Sequence, residues 1–162
     1  MELYLIRHAD AAPLGENNVQ NDADRPLTTN GHQQAKSVAA GLQSKGIALQ
    51  LILTSPLLRA RQTAEGIVKA WTGTPPEIQI CDELAPGKRP RKLARALKEL
   101  EQETVALVGH EPDLSGWTAW VIGSRKAQIA LAKAGIAHVS CEDGPAKGCG
   151  TLLKLLTPDW LA

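Results

Sequence analysis

Short apolar runs alternate along this chain with stretches whose apolar residues recur every three to four positions. Residues 3–6 and 51–53 read as buried strands, 77–81 as a short strand and 104–108 as a further one. Thr28 is placed to cap a helix running to about residue 44, with Ala35, Val38, Ala39 and Leu42 on its inner face and Gly46 beyond its end. Ser55 and Pro56 read as the N-cap and first residue of a second helix reaching Trp71, with Ala60, Ala64, Ile67, Val68 and Trp71 inward. Pro90 opens a helix with Leu93, Leu97 and Leu100 on one face. Pro112 stands near the start of another, which carries Leu114, Trp117 and Val121. Residues 136–141 and 151–156 read as two closing strands joined by a turn with Gly and Pro. Residues 10–27, broken by Pro13, Gly15, Asn17, Asn18, Asn21 and Pro26, read as a loop.

Strands alternating with helices over short connections predict an α/β protein, a three-layer α/β/α sandwich. Its sheet is expected to be mostly parallel, with the last two strands forming an antiparallel element at one edge. The 162 residues carry no repeat, low-complexity tract or linker, so residues 1–162 are expected to form one domain.

Charge and cysteine content narrow the function. Lys plus Arg number 18 and Asp plus Glu 17, a net +1 that gives no overall attraction to nucleic acid or anionic membrane. No apolar run approaches the roughly 20 residues of a membrane span. The first ten residues, MELYLIRHAD, lack the pattern of a secretory signal. Cys81, Cys141 and Cys149 are odd in number and show no C-x-x-C spacing, so they read as reduced thiols of a cytoplasmic protein. The four His and three Cys show no ligand spacing on any one element, and no metal or other cofactor is expected.

In open α/β sheets ligands bind beyond the carboxyl ends of the strands. Arg7 and His8 follow the first strand. Ser55 follows the second, with Arg59 one turn into the next helix; His110 and Glu111 follow the fourth. Two arginines and two histidines thus converge on one rim from three strands, an arrangement that would be self-repulsive without an anion between them. Guanidinium forks match phosphate oxygens, and helix N-termini add oriented N–H groups, so the pattern predicts an oxyanion pocket. His32, in the first turn of a helix, and His138, within a late strand, lack this placement and read as structural or surface residues.

The residues that carry this chemistry also carry a resemblance. Leu5-Ile6-Arg7-His8-Ala9 resembles the Arg-His-Gly signature of the histidine phosphatase, or phosphoglycerate mutase-like, superfamily. Ser55–Ala64 resembles its second motif and Val108-Gly109-His110 its third, in the same order. Arg25-Pro26-Leu27-Thr28-Thr29-Asn30-Gly31 resembles the short SixA branch of phosphohistidine phosphatases, and the likeness covers nearly the whole chain. Ala9 stands where the superfamily usually has Gly. Many members carry a glutamate proton donor shortly after the third strand. Glu83 is the residue offered here, but the register brings Pro86, which has no proton to give, closer to that position.

The resemblance implies a phosphatase in which His8 attacks phosphorus to form a phosphohistidine enzyme that water discharges. Arg7, Arg59 and His110 would stabilise the phosphoryl oxygens. On this reading His8 is neutral, aided by neighbouring arginines, and His110 is more useful protonated. A weak acid matters less for phosphohistidine, whose leaving imidazole is good, than for an alkyl ester. The chain also lacks a long insertion to close over a small substrate. Both points favour a histidine-phosphorylated protein, of phosphorelay or phosphocarrier type, as substrate. A small-molecule phosphomonoesterase and a non-catalytic phosphoprotein-binding domain are the alternatives. Asp10 and Glu111 are reserve proton carriers to Glu83. In the long loop, Asp22, Asp24 and Arg25 are placed to shape the pocket edge, and Arg25 to reach phosphate or partner or to form a structural ion pair. Lys88, Arg89, Arg91, Lys92, Arg95 and Lys98 form an acid-free basic stretch, read first as a solvated helix face and second as a docking surface for an acidic phosphoprotein.

Overall fold

Alternate residues of the first strand face opposite sides, and each side meets its own pair of helices. A computed structural model describes residues 1–124 and 126–160. In it β1 (Glu2–Arg7), β2 (Leu51–Thr54), β3 (Glu77–Ile80), β4 (Thr104–Gly109), β5 (Ile136–Ser140) and β6 (Thr151–Leu156) form one six-stranded sheet. The helices are α1 (Thr29–Ser44), α2 (Leu58–Ala70), α3 (Pro90–Lys98) and α4 (Asp113–Val121). Tyr4, Ile6, Ile52, Ala106 and Val108 pack with Ala35, Val38 and Leu42 of α1 and Ala60, Ala64 and Ile67 of α2. Leu3, Leu5, Leu51, Leu53, Val105 and Leu107 pack with Leu93 and Leu97 of α3 and Leu114, Trp117 and Val121 of α4. The result is the expected three-layer sandwich.

The strand order is β3-β2-β4-β1-β5-β6. The pairs β2–β3, β2–β4 and β1–β4 are parallel, and β5 runs antiparallel to both β1 and β6. The last two strands therefore supply the antiparallel edge. β1 and β4 lie side by side, yet the chain leaves β1 for α1 on one face and β4 for α4 on the other. That divergence opens a crevice at their carboxyl ends.

Local chemistry sets most boundaries. The Thr28 hydroxyl accepts the Gly31 N–H at 3.0 Å and caps α1 as expected. Gly31 is required for contact as well: a Cβ there would lie 2.0 Å from the Asp10 carbonyl oxygen, so only glycine lets the start of α1 press against the chain leaving β1. One expected start is corrected. Helix α2 begins at Leu58 with Leu57 as its N-cap, not at Pro56 with Ser55 as cap. The Ser55 hydroxyl accepts the Leu57 N–H at 3.3 Å, but it also bonds His110, the residue that follows β4, which fixes Ser55 outside the helix. Helix α2 ends at Ala70, and Trp71 is its C-cap.

Candidate active site

β1 and β4 deliver their first post-strand residues side by side, with the His8 N–H donating to the Gly109 carbonyl at 2.9 Å. The imidazole rings of His8 and His110 are consequently 5.2 Å apart, tilted by 53°. β2 is the next strand beyond β4, and the Ser55 N–H donates to the Val108 carbonyl at 2.9 Å. The turn after β2 then brings Arg59 of α2 onto the same rim. Three strand ends thus converge, and His8, Arg59 and His110 are only 7%, 5% and 3% exposed, which is unusual for such polar groups unless they serve a shared site.

The hydrogen bonds fix the orientation of His8. Its Nδ1 lies 2.8 Å from the Ala9 carbonyl, which can only accept, so Nδ1 carries the proton and Nε2 the lone pair. The Arg59 Nε–H donates to that Nε2 at 3.2 Å. Thr63, one turn beyond Arg59, joins helix to strand: its hydroxyl accepts the Ala9 N–H at 3.0 Å and donates to the Arg59 carbonyl at 2.7 Å. Ser55 Oγ and His110 Nε2 are hydrogen-bonded at 2.8 Å. Arg7 donates from Nη1 to the Leu131 carbonyl at 3.0 Å. Arg7 Nε and His110 Nδ1 are both buried without a hydrogen-bond partner. Buried polar atoms in that state are costly unless a ligand satisfies them.

Electrostatics keep both rings neutral. Burial is the largest cause for His8; its bond to the Ala9 carbonyl opposes the effect, and Arg59, Arg7 and Arg25 add to it, bringing the pKa down to about 4. His110 falls to about 3, again first through burial and then through Arg59 and His8. Sequence alone points to the arginines as what neutralises His8 and to a protonated His110. In the structure burial leads for the first, and the second is held neutral.

The expected mutual repulsion is also met from within the chain. Asp22, on a 3-10 turn over Asp22–Asp24, accepts Arg59 Nη1 on its carbonyl at 2.7 Å and Nη2 on its carboxylate at 3.0 Å. Arg25 donates to the same carboxylate at 3.0 Å and to the Ala12 carbonyl at 2.6 Å, so it forms the structural ion pair rather than standing free. Burial raises the Asp22 pKa, but Arg25 and Arg59 outweigh it and hold the carboxyl below its usual range.

The proton-carrier candidates separate clearly. Asp10 is bound by Lys133 at 2.6 Å and by the Thr28 hydroxyl at 2.7 Å. Glu111 is bound by the Ser115 hydroxyl at 2.6 Å and the Ser115 N–H at 3.1 Å. Glu83 lies on a 3-10 turn over Asp82–Leu84 after β3 and lines a cleft with His110, Asp113 and Trp117. Its Oε2 is buried with no hydrogen-bond partner. Pro86 is exposed on the following loop. His138 stacks on Tyr4 and pairs with Glu2, a structural role, while His32 sits on α1 away from this rim. Among the described residues no group of three His, Cys, Asp or Glu side chains is arranged to hold a metal ion, and no helix is long and apolar enough to cross a membrane.

Sequence reasoning missed four contributors. Thr63 had a usable signal, being four residues from Arg59 on one helix face. Ser55 is legible as a helix cap but not as the partner of His110. Lys133 and the Leu131 carbonyl had none, because they reach Asp10 and Arg7 across more than 120 residues of chain.

Comparisons with known proteins show what the chain is similar to. The family model described as "Histidine phosphatase superfamily (branch 1)" matches residues 3–88. The chain is 41% identical over 172 residues to an uncharacterized protein of Picosynechococcus, covering 99% of both. It is 28% identical over 161 residues to phosphohistidine phosphatase SixA of Escherichia coli K12, covering 98% of this chain and 94% of that one. A solved structure of the protein histidine phosphatase SixA complexed with tungstate superimposes with a TM-score of 0.83 at 26% identity, covering the whole of both chains.

Proposed function

The chain belongs to the histidine phosphatase superfamily, and on that premise we propose that it removes the phosphoryl group from phosphohistidine on a partner protein, through a covalent intermediate on His8. The observation that carries this reading is the state of His8: buried, neutral, its proton held on Nδ1 by the Ala9 carbonyl, and its Nε2 directed toward cationic and N–H donors. A binding module needs the donors but not a nucleophile kept unprotonated.

In the proposed first step the His8 Nε2 lone pair forms a bond to phosphorus as the bond from phosphorus to the substrate imidazole breaks, and the substrate ring, protonated beforehand on its other nitrogen, leaves as neutral imidazole. The phosphoryl oxygens take over the N–H groups of Arg59, including the one now shared with Nε2. Arg7 adds its charge and its unpartnered Nε–H. The Ser55 hydroxyl donates a hydrogen bond to His110 Nε2, which leaves the proton of the neutral ring on Nδ1 as a further donor. In the second step water attacks phosphorus, the bond to Nε2 breaks, and inorganic phosphate leaves. Positioning and charge stabilisation by fixed protein donors supply the catalysis, so the reaction proceeds without a metal ion. A SixA complexed with tungstate, itself an oxyanion, supports such a pocket. The three cysteines are free thiols, in keeping with a cytoplasmic setting.

Phosphate release from a histidine-phosphorylated protein tests this, with alkyl and aryl phosphate esters alongside. Rapid release is expected to persist in EDTA and to fall at least about 10³-fold in His8→Ala. Absence of any His8-dependent release would overturn the proposal. One observation favours a second reading. The Glu83 carboxyl, with one oxygen unpartnered in the same cleft as His110, would when protonated serve as a proton donor for an ester oxygen. Fast alkyl ester turnover that collapses in Glu83→Gln would make the protein a phosphomonoesterase.

A further inference from the structure

Helix α3 carries a cationic face for which the catalytic chemistry has no use. Leu93, Ala94 and Leu97 are buried against the sheet and anchor the helix. Arg91, Lys92, Arg95 and Lys98 point outward and are exposed, and Lys88 and Arg89 precede them. Arg91, Arg95 and Lys98 are spaced four and three residues apart and share one side of the helix. None of these six cations has a carboxylate within ion-pairing distance among the described residues.

This face lines a groove. Its walls are Arg91, Arg95 and Lys98 from α3, Trp120 from α4 and Lys147 from the β5–β6 connection, with only Ala94, Pro145 and Ala146 besides. Four cations and a partly buried indole line it together, and no acid is among its lining residues. The amino end of the same helix leads toward the site: Lys88, Arg89, Pro90 and Leu93 line a separate cleft that holds His110. Nine helical residues span about 14 Å, a distance that four or five residues of extended chain cover.

We propose that this groove docks an acidic segment of the phosphohistidine-bearing partner, holding it while the phosphoryl group enters the His8 cleft. The inference rests on the phosphohistidine reading above and names the chemistry of that partner. Charge complementarity selects an anion, and the surroundings select a protein rather than a nucleic acid or a lipid surface. Glu99, Glu101 and Glu103 follow directly on α3 and cut the positive field short, which suits a few carboxylates and repels a long polyphosphate. The face of Trp120 offers apolar contact for aliphatic side chains between those carboxylates.

Two synthetic peptides test it, each with one central phosphohistidine, flanked on both sides by glutamates in one and by serines in the other. The wild-type protein is expected to prefer the acidic peptide by about tenfold or more in kcat/KM at low salt, through KM, with the preference shrinking as salt is raised. The triple variant Arg91→Gln, Arg95→Gln, Lys98→Gln should lose the preference while turning over the serine-flanked peptide at the wild-type rate. Lys147→Gln alone should lose part of it. A preference that survives in the triple variant, or is absent from the wild type, overturns the docking inference and leaves the phosphatase reading intact. Equal loss on both peptides overturns it too. No His8-dependent release from either peptide removes the phosphatase reading and the inference together. Tighter binding of a single-stranded oligonucleotide or of phosphatidylserine vesicles than of the acidic peptide, lost in the triple variant, would assign the groove to that polyanion instead.

Discussion

His8 and His110 are neutral because the fold buries them beside arginines, and this has a measurable cost in acid. Both pKa values lie below that of an exposed histidine, at about 4 and about 3. The unfolded chain therefore takes up protons on these rings before the folded chain does as pH falls below about 6.5. Their neutral burial costs nothing extra above that pH, and stability is lost progressively as pH falls from about 6.5 through about 4. Asp10 and Asp22 have carboxyls held below their usual range, so their ion pairs persist through this window and fail only in stronger acid. Urea midpoints measured at pH 7, 5 and 4 should fall in that order, and His8→Asn with His110→Asn should flatten the decline. Ring nitrogen shifts should show both histidines neutral from pH 8 down to about 5. A histidine signal from His8 titrating near 6.5 would contradict the burial argument.

At the scale of elements, the decisive contacts join a helix start to a strand end. The chain leaving β1 is held by the start of α1, where Thr28 caps the helix and donates to the Asp10 carboxylate, and Gly31 lets the Asp10 carbonyl approach. Gly31→Ala puts a methyl group inside that contact and should destabilise the protein by about 1–3 kcal/mol, as overpacking does. It should also lower turnover, since Asp10 is two residues from His8. Thr28→Ala loses the cap without the clash and should cost about 1 kcal/mol with little change in turnover. Denaturant unfolding beside phosphate release separates the two effects. The cap at Thr28 was readable from sequence because capping is local. The start of α2 was misread because a serine followed by proline is also a good local cap, and only the neighbouring strand's histidine decided otherwise.

The whole molecule is organised by one sheet with a separate apolar layer on each face. β4 lies between β2 and β1 and is buried along almost its whole length, whereas β3 and β6 are edge strands with mostly exposed residues. Hydrogen exchange should therefore be slowest in β4 and β1 and fastest at β6 and β3. Fast exchange of β4 amides would show that the two layers do not unfold as one unit. The site sits at the end of the most protected strands, which holds His8 and His110 in fixed relation while the loop carrying Asp22 binds Arg59 beside them.

Periodicity by itself determined most strands and helices, because β1, β2 and β4 bury both faces and each helix one, and that pattern is written residue by residue. The rule that ligands sit at strand ends then singled out Arg7, His8, Arg59 and His110 before any contact was known. Which strands stand side by side was a tertiary matter, since β1 pairs with β4 across some hundred residues and no local signal encodes that register. Tertiary structure alone also chose the proton on His8, through the Ala9 carbonyl, and gave Arg59 its carboxylate, Asp22, from 37 residues away. It freed Glu83 while binding Asp10 and Glu111. Local sequence sets what each residue can do; burial and long-range hydrogen bonds, which depend on the whole packed sheet, set which of those states it adopts.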